Sequence, residues 1–102
     1  MPTKPRKLTA AQVAAGLKKL PGWSLEKGKL HREYQFRDFV EAWGFMTSAA
    51  LRIQEMDHHP EWSNVYQKVR VDLVTHSVGG VSALDLKLAA TLEELASRLA
   101  AR

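Results

Sequence analysis

The sequence predicts an α+β fold, one antiparallel sheet with helices packed on one face. Three observations predict it. Apolar residues of helical spacing, each run opened by a capping residue, occur in three segments. Two pairs of strand-like runs lie between those segments, the first joined by Lys27-Gly28. The resulting order is helix, strand, strand, helix, strand, strand, helix, in which neighbouring strands join as antiparallel hairpins or through a helix.

Residues 1–7 read as a flexible basic arm, and 8–102 as a single domain. In "LTAAQVAAGLKKLPGW", Thr9 is placed to cap a helix and Gln12 stands at the capping-box position. Leu8 and Val13 have the spacing of a hydrophobic staple, and Pro21-Gly22 is expected to stop the helix. Trp23 to Glu26 and Leu30 to Phe36 are expected as the strands of a hairpin, although Arg32 falls in phase with Leu30, Tyr34 and Phe36. A long helix follows over 38–56, with Asp38 as cap and Glu41 completing the box.

On that helix Phe39, Ala42, Trp43, Phe45, Met46, Ala49, Ala50, Ile53 and Met56 span an arc of roughly 160°. Either a second partner joins the sheet in covering this arc, with Phe45 facing another subunit, or one deep core contact takes all of it. Pro60 disfavours helical geometry at His59, so His58 falls at or just past the last turn and His59 leaves in a different direction. In "WSNVYQKVRVDLVTHS", Val69, Val71, Leu73 and Thr75 share one strand face, and Arg70, Asp72, Val74 and His76 share the other. "VGGVS" is a loop whose two glycines are free to take positive φ. Ser82 opens the last helix with Asp85 at the box position, and Leu84, Leu88, Leu92, Leu95 and Leu99 form its expected core stripe.

Composition narrows the function. The chain has 102 residues, 45% hydrophobic and 25% charged, as expected of one globular domain. It contains no cysteine, which excludes disulfides and thiolate metal sites. No apolar run reaches the roughly 18 residues of a membrane span, and no secretory signal is visible. A cytoplasmic location is the expectation. The net charge is +4, but apart from "KPRK" the basic residues are scattered. They read as a solvated mixed-charge surface rather than a nucleic-acid face.

The chemistry concentrates in "MDHHPEWSNVY" and in His76. Imidazole gives and takes protons near neutral pH. The negative end of the long helix would favour imidazolium at His58, making it a ready acid. Three histidines can also hold zinc, but neither HxH nor HxxxH spacing occurs, and adjacent residues point apart. No resident metal or cofactor is expected. Nucleophilic catalysis lacks its signatures. Trp62 either stacks on a flat heterocycle or starts a strand as a core aromatic. Asp57 and Glu61 either orient an imidazole or are solvated.

"DHHPEWSNVY", followed by "VDLVTHSVGGVSALDLKLA", resembles the pterin-4a-carbinolamine dehydratases, and the likeness runs over most of the chain. The resemblance implies a four-stranded antiparallel sheet with three helices on one face. It also implies a homotetramer, a dimer of dimers joined through the long helix. The implied reaction dehydrates 4a-hydroxytetrahydrobiopterin to the quinonoid dihydropterin, recycling the cofactor of an aromatic amino acid hydroxylase. By the same likeness His58 and His76 match proton-transfer positions, and His59 matches the residue that binds and orients the pterin. Asp57, Thr75 and Ser77 fall where the family contacts substrate, with Trp62 beside them. One departure is Leu84, where the family often has a basic residue. The alternative reading is a non-catalytic protein-binding module, a transcriptional dimerisation cofactor on the same fold.

Overall fold

The computed structural model describes residues 4–99. The first helix, α1, spans Ala10–Leu17 and carries the predicted box: Gln12 N–H donates to Thr9 Oγ1, and Thr9 N–H donates to Gln12 Oε1. Val13 is buried, and Leu8 packs against the same core. The helix ends four residues before Pro21, because its last turn tightens. Lys19 N–H donates to Gly16 O and Leu20 N–H to Leu17 O, which carries Leu20 and Trp23 into the core. At Gly16 a Cβ would lie 2.7 Å from the Leu86 side chain, so glycine permits the close approach of α1 to the last helix.

Strands β1 (Ser24–Glu26) and β2 (Lys29–Gln35) form the expected hairpin. Lys27 and Gly28 both have positive φ, 53° and 79°, the geometry that matches a two-residue turn to strand twist. The long helix α2 spans Phe39–Met56. Asp38 Oδ1 accepts the Glu41 N–H, but the reciprocal half of the predicted box is missing. Glu41 Oε1 accepts the N–H of Arg37, one residue before the cap.

Strands β3 (Glu61–Val65) and β4 (Lys68–Leu73) complete a four-stranded antiparallel sheet in the order β1-β2-β4-β3. The register sets Leu30 opposite Leu73 and Tyr34 opposite Val69, so the apolar residues of β2 and β4 share the covered face. Arg32 shares that face for a reason outside its own strand. Its guanidinium lies 4.4 Å from the Tyr34 ring centroid, and its Nε donates to Glu93 Oε1 at 3.1 Å. The same oxygen accepts Trp23 Nε1–H and the Tyr34 hydroxyl.

β4 stops at Leu73, short of the predicted strand end. Thr75 makes only an isolated bridge to Gly80, and His76–Val78 form a 3-10 turn closed by Gly79 at φ 66°. His76 therefore sits on a turn rather than on a strand, and of the two glycines only Gly79 takes positive φ. The last helix, α3, spans Ala83–Ser97 from the predicted Ser82–Asp85 box. Its buried face is Asp85, Leu88, Ala89, Leu92 and Ala96. Leu84 and Leu95 lie at the margin and Leu99 is exposed, so the stripe is rotated toward the alanines. Alanine lets α3 lie close to its neighbours, which moves the contact line off the leucine row.

The apolar arc of α2 divides. Ala42, Phe45, Ala49 and Ile53 are buried in the core, with Met46 and Met56 partly covered. Phe45 is fully buried and is not available to another subunit. Phe39 and Trp43 instead stack on each other, both more than half exposed, and Val40 and Leu51 widen this uncovered face. Among the described residues no helix is long and apolar enough to cross a membrane.

Candidate active site

α2 ends because Asp57 adopts the left-handed conformation, φ 49° and ψ 42°. Its N–H donates to Gln54 O, and the next N–H, of His58, donates to Ile53 O. This reversal acts with Pro60 to turn adjacent imidazoles apart. His58 is 9% exposed, whereas the His59 side chain is 59% exposed.

Inside the corner, His58 Nε2 lies 2.6 Å from Asp85 Oδ1 on α3. Asp85 is fully buried, and its Oδ2 accepts the Thr75 hydroxyl and the Ser82 N–H, each at 2.8 Å. Thr75 Oγ1 lies 2.6 Å from Ser82 Oγ. Since the Thr75 proton goes to Asp85, the Ser82 hydroxyl is the donor to Thr75 Oγ1. Among the described residues no buried side-chain polar atom lacks a partner. An ionised carboxylate only accepts, so Nε2 of His58 carries the proton between the two groups. In the neutral ring Nδ1 is then the unprotonated nitrogen. The sequence predicted that the helix end would govern this ring; its partner is instead a carboxylate from another helix.

His76 is exposed, with Nε2 3.1 Å from Glu61 Oε2. Glu61 Oε1 lies 2.6 Å from Lys29 Nζ. The hydrogen bond from Lys29 holds the Glu61 carboxyl below its usual range, and His76 adds to the effect. His59 Nε2 lies 3.5 Å from Asp57 Oδ1. Together with Ala50, Ile53, Gln54, Pro60 and Trp62 it lines a hollow of about 200 Å³. Trp62 is half-buried: it packs on the core and also forms a wall of that hollow.

The three histidines are thus linked through shared neighbours, without direct ring contact. His58 reaches Thr75, the residue before His76, through Asp85. His76 reaches Glu61, two residues beyond His59, directly. Thr75 is buried with its hydroxyl committed to Asp85 and Ser82, while Asp57 and Ser77 are exposed. Sequence reasoning missed Asp85 as the partner of His58. The only local signal was its place in a capping box, which uses one carboxylate oxygen and leaves the other free. Larger grooves lie elsewhere, between α2 and α3 and on the open sheet face around His31. Neither contains any of the three histidines.

The family model described as pterin 4 alpha carbinolamine dehydratase matches residues 6–95. A Solibacter usitatus protein named "Putative pterin-4-alpha-carbinolamine dehydratase" is 50% identical over 91 residues, covering 89% of this chain and 96% of its own. A Prochlorococcus marinus protein of the same name is 53% identical over 88 residues, covering 86% and 92%. The crystal structure of a "transcriptional coactivator/pterin dehydratase" from Brucella melitensis superimposes with a TM-score of 0.86 at 42% identity, over 89% of this chain and 99% of that one. With the helices, the sheet order and the histidine corner all accounted for, the chain belongs to the pterin-4-alpha-carbinolamine dehydratase family, whose named activity is that of a hydro-lyase.

Proposed function

We propose that this protein dehydrates 4a-hydroxytetrahydrobiopterin to the quinonoid dihydropterin by histidine acid/base catalysis. The observation that carries the reading is the His58–Asp85 pair, a buried imidazole held by a carboxylate whose other bonds are all made. The reaction removes hydroxide from C4a and a proton from N5, and together these leave as water. It needs an acid at the departing oxygen and a base at nitrogen. His58, with Nε2 tied to Asp85, offers Nδ1 for one transfer. His76, exposed at the mouth of the turn, serves the other. His59 and Trp62 hold the ring at the hollow they line. That hollow is smaller than the roughly 300–1,000 Å³ of drug-sized sites, so it suits part of a flat bicyclic ring. Asp57 and Ser77 contact substrate at the exposed rim, and Thr75 acts through Asp85.

The reading extends to a cytoplasmic role in recycling the pterin of an aromatic amino acid hydroxylase, and to a homotetramer. The uncovered face of α2, with Phe39, Val40, Trp43 and Leu51, supports the assembly. A second reading, a protein-binding module in transcription, draws on the same face and on the coactivator half of the Brucella melitensis description. The deciding experiment follows quinonoid dihydropterin formation from synthetic carbinolamine. Acceleration above the uncatalysed rate supports the enzyme. A folded protein that gives none leaves the binding module.

A further inference from the structure

Glu61, Asp72 and His31 form one cross-strand row on the open side of the sheet, and His76 meets that row at Glu61. Glu61 opens β3 opposite Asp72 of β4, and Asp72 is in turn opposite His31 of β2. The Glu61 carboxylate is divided between two partners, Lys29 Nζ at 2.6 Å from one oxygen and His76 Nε2 at 3.1 Å from the other. The other acid in this row, Asp72, is taken by His31 Nδ1 at 2.8 Å. The two histidines therefore do not compete for one carboxylate.

We propose that Glu61, anchored by Lys29, is a positioning residue for His76. It fixes the ring's proton on Nε2 and makes Nδ1 the nitrogen that exchanges a proton with substrate. The inference rests on the dehydratase reading of His76. Its logic is that of donors and acceptors. An ionised carboxylate has no proton to give, so the nitrogen facing it must carry one. Lys29 keeps Glu61 in that ionised form and occupies one of its oxygens, leaving the other for the ring. The role parallels that of Asp85 toward His58, except that the His76 pair is solvent-exposed and correspondingly weaker. In this arrangement each of the two proton-transferring rings has Nε2 facing a carboxylate oxygen, at 2.6 Å for His58 and 3.1 Å for His76, which leaves Nδ1 for the transfer. One is supported from the buried side and the other from the sheet surface.

The test combines ring-nitrogen NMR on the free protein with a kinetic cycle. In wild type the His76 Nε2 signal should be that of a protonated nitrogen and Nδ1 that of an unprotonated one, at a pH where the ring is neutral. In Glu61→Ala the two shifts should move toward each other. Glu61→Ala should lower kcat about two- to fivefold with little change in KM, the scale of an exposed ion pair. Glu61→Gln, which keeps an acceptor, should recover part of the loss, and Lys29→Met should show a smaller one. In a His76→Ala background, Glu61→Ala should have no further effect. Unchanged ring-nitrogen shifts, or an equal kcat loss with His76 already removed, would overturn the proposal. If wild type shows no turnover at all, the dehydratase reading fails, and the NMR arm alone decides whether Glu61 positions the ring.

Discussion

Asp85 and His58 stand 27 residues apart in the chain and 2.6 Å apart in the fold. One carboxylate here closes the N-terminus of α3, binds Thr75 and holds an imidazole at the end of α2. The helix start and the candidate catalytic ring therefore depend on the same buried group.

Asp85→Asn should separate these duties. The amide places N–H donors where one oxygen accepted, so either His58 or the Thr75–Ser82 pair loses its acceptor. A buried unsatisfied group costs about 1–3 kcal/mol, which the urea midpoint will show. With the ring no longer held in its tautomer, kcat should fall about 10²-fold or more. A folded variant with unchanged kcat would separate Asp85 from the chemistry.

The two faces of α2 should respond differently. Trp43→Asp, on the uncovered face, should shift sedimentation from about four chains to smaller species, with the fold retained. Phe45→Ala, in the core, should cost about 3–5 kcal/mol of stability through the cavity it leaves. A wild-type monomer at micromolar concentration would refute the assembly.

Tyr34 gives a pH prediction. Burial first, and then its hydrogen bond to Glu93, push the phenol well above its ordinary 10.0. The folded protein keeps this proton where the unfolded chain releases it. The stability it contributes is therefore fully present below about pH 10 and is lost as pH rises beyond. Urea midpoints measured at about pH 9 and about pH 11 should fall in wild type and fall less in Tyr34→Phe. Equal slopes would mean that Tyr34 does not set the alkaline limit.

Features decided within four residues were legible in the sequence. The Thr9–Gln12 and Ser82–Asp85 boxes, the Lys27-Gly28 turn and the Asp38 cap all depend on local backbone donors, and all are present. So is the outward turn of His59 away from His58. The chain hid what distant partners decide. Arg32 looked misplaced on the core face until Glu93, 61 residues on, supplied its counter-charge. The arc on α2 is compatible with a second partner or with one deep core contact, and its periodicity does not say which side meets the sheet. Phe45 and Trp43 were therefore not told apart. Alternation continues past Leu73 in the sequence and so predicts a strand that reaches His76. The Thr75–Gly80 bridge, which ends the strand by turning the chain back, has no local sequence signal beyond the glycines.

The most direct measurement is steady-state dehydration of synthetic carbinolamine by His58→Ala, His76→Ala and His59→Ala, each checked for folding. Loss of a proton-transfer group should lower kcat by roughly 10²–10⁴-fold in the first two, down to the uncatalysed background. The third should chiefly raise KM and spare more of kcat, as expected for a residue that holds the ring. If His59→Ala lowered kcat most while His58→Ala or His76→Ala was nearly silent, the division of labour among the three imidazoles would be contradicted.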